Sequence, residues 1–85
     1  MEILKKEIIK ALQKLGGRGE IRQVMDEVGK QLEGKLTEGD LEWRESVKMY
    51  AWQHNVCWAR YKMVQEGILR RDAPRGIWEL TEKYL

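Results

Sequence analysis

Apolar residues recur at every third or fourth position in three separate stretches of this chain, and glycine closes the first and the last. That pattern points to three amphipathic helices. In the first stretch Leu4, Ile8, Ala11, Leu12 and Leu15 share one face, while Lys5, Lys6, Lys10 and Lys14 lie elsewhere. The spacing predicts a helix over 2–15. Gly16-Gly17 stops it, because glycine takes the left-handed conformation past a last helical turn without a Cβ clash. In the second, Ile21, Val24, Met25, Val28 and Leu32 keep the spacing, and Gly29 weakens it by up to about 1 kcal/mol relative to alanine. The longest helix is predicted over Val47–Glu66, with Ser46 as N-cap, Met49, Trp52, Val56, Ala59 and Met63 on one face, and Gly67 at its end.

The connections complete the outline. Arg18–Ile21 is long enough for one edge pairing, and Glu33 to Gly39 reads as a loop. Thr37-Glu38-Gly39-Asp40 resembles a capping box with Asp in place of Glu, predicting a short helical turn through Leu41 to Trp43. Ile68–Arg71 reads as a strand, Asp72–Gly76 as a five-residue turn in which Pro74 needs no amide hydrogen, and Ile77–Leu80 as the returning strand. Thr81–Leu85 reads either as a further helical turn or as a fraying end. The order is helix, short strand, helix, helix, hairpin. It predicts an α+β fold, mostly α: a winged helix-turn-helix of three helices plus a C-terminal two-stranded hairpin wing that covers helix three.

Eighty-five residues predict one domain over 1–85. A domain this small buries only about 60% of its extended-chain surface, so its core depends on a few large side chains. Four Trp, three Tyr and four Met supply them, without Phe. The lone Cys57 excludes an intramolecular disulfide and a cysteine-rich zinc site. His54 has no Cys- or His-rich surroundings for a metal, and no cofactor is expected. No apolar run approaches the ~18 residues that span a bilayer, and Met-Glu-Ile-Leu-Lys-Lys is unlike a targeting peptide. A cytoplasmic protein with no membrane partner is expected. No nucleophile triad, Gly-rich phosphate loop or ligand cluster is evident, so neither an enzyme nor a small-molecule substrate is expected.

Charge is unevenly distributed. Residues 1–43 hold eight basic and nine acidic side chains, whereas 44–75 hold seven basic and three acidic ones. A polyanion would therefore meet the second half of the fold, although a solvated Lys/Glu-rich surface gives the same count. On the third helix Gln53, His54, Cys57, Arg60 and Tyr61 form the arc opposite the apolar face, with Trp58 expected to be buried on its flank. In a helix-turn-helix this arc enters the major groove. Gln53 suits a bidentate pair with adenine, Arg60 a guanine or a phosphate, and His54 and Tyr61 phosphate oxygens. Arg70, Arg71 and Arg75 crowd the turn of the hairpin, a second contact surface of the kind that follows the backbone or enters a minor groove. Each of these side chains is also an ordinary solvated one, and Arg70 or its neighbours can pair with Asp72 or Glu79. Val47, Tyr50 and Tyr61 form a further stripe, either core or a homodimer interface.

Trp58-Ala59, Met63, Gly67-Ile68-Leu69 and Arg75-Gly76-Ile77-Trp78-Glu79-Leu80-Thr81 stand in one order and spacing. The run resembles the N-terminal winged-helix domain of Mrr-type restriction proteins, whose pattern is Trp-Ala, a leucine-like residue, Gly-Leu, then Arg-Gly-x-Trp-x-hydrophobic-Thr. Ala11–Gly17 and the Ile21–Leu32 helix suit the same family, so the resemblance covers roughly residues 8 to 81. It implies recognition of double-stranded DNA by a module that the family joins to a nuclease domain. Asn55 stands where the family often has a basic residue. No Asp…Glu-x-Lys constellation with room for a catalytic core is present for cleavage. A small transcription regulator and the target-reading part of a restriction-type assembly both fit. The alternative from another class is a protein-interaction module that uses the same scaffold without DNA.

Overall fold

The computed structural model describes residues 2–85. Helix α1 spans Glu2–Lys14, strand β1 Arg18–Glu20 and helix α2 Ile21–Gln31. Strands β2 (Trp43–Arg44) and β3 (Met49–Tyr50) form a small hairpin, followed by helix α3 (Ala51–Gln65), strand β4 (Ile77–Glu79) and a 3-10 turn over Glu82–Tyr84. The architecture is α+β, mostly helical, and of the winged helix-turn-helix kind.

Helix α1 packs on both α2 and α3. Ile8 and Leu12 of α1, Val24 and Val28 of α2, and Val56 and Met63 of α3 are fully enclosed together with Leu80. The glycines act as their positions suggest. Gly16 and Gly67 take φ +89° and +79°. After each, an amide reaches back five residues, Gly17 N–H to the Leu12 carbonyl at 2.7 Å and Ile68 N–H to that of Met63 at 2.9 Å. These are Schellman closures, which satisfy carbonyls that a helix end leaves open.

The wing differs from an isolated hairpin. Strand β4 pairs antiparallel with β1, setting Arg18 opposite Glu79, Gly19 opposite Trp78 and Glu20 opposite Ile77. Its other edge is held by a Leu69–Leu80 bridge and by the Arg70 N–H on the Glu79 carbonyl at 2.7 Å. Of the strand expected over Ile68–Arg71, only this short contact forms. β4 is thus the middle ribbon, and β1 covers what would otherwise be an unpaired edge.

Helix three begins later than its apolar spacing suggests. Residues 47–50 are not helical: Lys48 has φ +55°, and Trp43 pairs with Tyr50 and Arg44 with Met49. Val47 and Tyr50 therefore do not form a stripe on α3 with Tyr61. The first amides of α3 find partners outside the helix, Ala51 N–H on the Glu42 carbonyl at 2.8 Å and Trp52 N–H on that of Asp40 at 3.0 Å. Those bonds do the work expected of a Ser46 cap. The reciprocal bonds of Thr37 and Asp40 form at 2.9 and 3.2 Å, but only one turn follows, and Trp43 is in β2.

Candidate nucleic-acid interface

Ala51, Val56, Ala59 and Met63 turn α3 toward the core, leaving His54, Cys57, Trp58 and Tyr61 on the other side. Trp58, expected inside, is 54% exposed. It lies one residue before Ala59 and is rotated off the buried line. Its ring meets Tyr61 edge-on, with centroids 6.1 Å apart, and tilts against His54 at 6.2 Å. The outward arc is therefore aromatic, with rings at positions 54, 58 and 61. Cys57 is half-buried. Burial pushes its thiol up, partly opposed by the charge of Arg60, so it is mostly protonated and a poor nucleophile at neutral pH.

Two polar residues of the expected arc are engaged elsewhere. Gln53 Oε1 accepts the Tyr50 N–H at 3.0 Å, closing the first turn of α3. That bond occupies Oε1 and leaves Nε2 as the amide's donor, which disfavours the paired donor and acceptor needed for adenine. Arg60 is half-buried and leans from the arc toward the sheet. Its Cζ is 5.9 Å from the centroid of the buried Trp78 ring, a cation–π contact between helix and sheet. Its Nε is enclosed without a hydrogen-bond partner among the described residues.

In the wing, Arg70 is latched. Its Nε and Nη2 donate to the two carboxylate oxygens of Asp72 at 3.0 and 3.1 Å. This hydrogen-bonded pairing holds the Asp72 carboxyl below the usual carboxylate range and raises the Arg70 guanidinium further. Arg71 and Arg75 are exposed, and neither forms an ion pair among the described residues. The tip closes as a β-turn: Pro74 C=O accepts the Ile77 N–H at 3.0 Å, with Gly76 at φ +82°. A positive φ at that third position is the type II arrangement, natural for glycine. Gly76 C=O in turn accepts the Ile21 N–H at 3.1 Å, tying the wing to the start of α2. Arg71 borders a shallow groove with Val64 and Gln65 at the end of α3, and Arg75 another with Arg22 at the start of α2.

A family model for the Mrr N-terminal domain matches residues 3–84. The chain belongs to that family. No curated protein and no solved structure matches it.

All the side chains above lie inside the matched span of this Mrr N-terminal domain. The structure adds one residue that the sequence reading passed over, Arg22. It lines the groove beside Arg75 and also a second groove beside Gln53, so it stands between wing and helix three. The signal was its place in the first turn of α2, which carries no acidic residue to suit the helix dipole. No group of three His, Cys, Asp or Glu side chains is gathered for a metal ion among the described residues. No described helix is long and apolar enough to cross a membrane.

Proposed function

We propose that this Mrr N-terminal domain binds double-stranded DNA and does not cut it. It serves either as a small transcription regulator or as the target-reading module of a restriction-type assembly. In this reading α3 enters the major groove. His54 and Tyr61 meet phosphate oxygens, Gln53 offers Nε2 to a base acceptor, and Arg60 reaches outward from its seat on Trp78. The wing follows the backbone, with Arg71 and Arg75 as its contacts and Arg70 held back by Asp72. One observation carries the reading: two arginines without carboxylate partners among the described residues stand on a turn fastened to the start of α2, in the half of the chain that holds the excess of positive charge.

The test is a fluorescence-anisotropy titration of a mixed-sequence duplex at about 50 and 200 mM salt. Each phosphate contact contributes about 0.9 to the log–log salt slope. The double variant Arg71→Ala/Arg75→Ala should therefore lose about 1.8 from the slope. No binding at the lower salt would end the proposal. The exposed Trp58–Tyr61 pair supports a second reading, in which this face docks a protein partner or a second copy of the chain. A dimer mass that reverts to monomer in Trp58→Ala, without DNA binding, would favour it.

A further inference from the structure

We propose that the β2–β3 hairpin is a second wing, whose Arg44 and Lys48 hold the DNA backbone beside the N-terminal end of α3, across a groove from Arg22. The inference rests on the DNA-binding reading above and extends the contact surface to an element inserted between α2 and α3.

The groove has a volume of about 690 Å³. One wall is α2, with Arg22, Met25 and Asp26. The other is the hairpin, with Lys48 and Met49, and Gln53 lies at the start of α3 between them. Arg44 is the cross-strand partner of Met49. Residues directly opposite each other on paired strands project to the same face, so Arg44 stands on the groove side of the hairpin. The other pair, Trp43 and Tyr50, projects to the opposite face. There the two rings meet edge-on at 5.2 Å and 79°. Two-residue strands are too short to be stable alone, and this contact stiffens the arm from behind. The Trp43 Nε1–H donates to Glu45 at 2.8 Å, and the same carboxylate takes Lys48.

The charge balance favours a polyanion. The acidic groups here are Asp26, which lines the groove, and Glu45, paired with Lys48 at the hairpin. Against them stand Arg22 and Arg44, which form no ion pair among the described residues, and Lys48. The Lys48–Glu45 pair leaves both side chains about three-quarters exposed. Such a pair is weak, so Lys48 can turn to a phosphate at little cost. The amides of Ala51 and Trp52 are already taken by carbonyls, so side chains rather than the helix terminus must do the holding. The location also fits. Recognition helices present their N-terminal residues to base edges, which brings the flanking backbone past this end of α3.

The experiment compares Arg44→Ala/Lys48→Ala with wild type and with Arg71→Ala/Arg75→Ala on the same mixed-sequence duplex. Circular dichroism confirms that the exposed substitutions leave the fold intact. The hairpin variant is expected to lose about 1.8 from the salt slope, one contact's worth for each residue, and to bind about tenfold more weakly at low salt. A wild-type slope in this variant, while the Arg71/Arg75 variant loses its own, overturns the second wing and leaves the DNA reading standing. A wild-type protein that fails to bind the duplex overturns both.

Discussion

Replacing Trp78 with alanine tests how the wing is joined to helix three. Trp78 is 4% exposed, lies in the central strand β4, and faces Gly19 across the sheet. A glycine partner offers no side chain to fill the space that the indole leaves. Trp-to-Ala changes in cores cost about 3–5 kcal/mol, and the missing neighbour places this one toward the upper end. A chain of this length has a total stability of about 4–13 kcal/mol, so Trp78→Ala removes a large share of it or all of it. Arg60→Ala makes the contrast. It loses a cation–π contact of about 0.5–2 kcal/mol, but it also removes an enclosed Nε–H with no acceptor, a group that costs about 1–3 kcal/mol. The two oppose each other, and the expected net change lies between about 1 kcal/mol of destabilisation and about 2.5 kcal/mol of stabilisation. Urea unfolding followed by circular dichroism measures both variants, with Trp78→Phe as an intermediate. An Arg60→Ala variant destabilised as much as Trp78→Ala would refute the reasoning, because the guanidinium would then be holding the ring in place.

Four further outcomes are expected. Asp72→Ala unlatches Arg70 and should steepen the salt dependence of DNA binding, read by anisotropy; a shallower slope would contradict the latch. Because Arg70 depresses the Asp72 pKa, the latch is complete above the ordinary carboxylate range and is lost only as pH falls through the lowered value. NMR shifts at the wing should therefore stay constant from about pH 5 to 8. Cys57, with its thiol raised by burial, should react slowly with iodoacetamide near neutral pH and quickly once urea unfolds the chain. Trp58→Ala should change stability by no more than about 0.5–1 kcal/mol, far less than Trp78→Ala, since its indole is largely in solvent.

Helices one and two and the wing turn were legible because each announces itself locally, through a 3.6-residue period, a terminal glycine, or Pro74 and Gly76 around a turn. The start of α3 was not. Met49, Trp52 and Val56 continue the helical spacing backward through β3, and two-residue strands are too short to show an alternating pattern. What starts the helix at Ala51 is a pair of carbonyls, Glu42 and Asp40, brought there by the path of the loop from a distance the helical period does not reach. The site was legible to a similar degree. Arg71 and Arg75 emerge exposed, as a crowded turn suggests. Gln53 and Arg60 have second partners, a neighbouring amide and an indole eighteen residues downstream, and no helical wheel reveals these. The same wheel places Trp58 on the flank, where a large ring can turn either inward or out.

The pairing of Arg18 with Glu79 joins positions far apart in the chain, with α2, the β2–β3 hairpin and α3 all lying within that span. Such a long closure is entropically demanding and comes late in folding. The bundle can therefore gather before β4 arrives, but the surface shared by wing and helices exists only afterwards. A ligand that grips Arg75 together with Arg22 bridges the two sides of this seam, and it should slow the peeling of β4 from β1 more than it slows the opening of the helices.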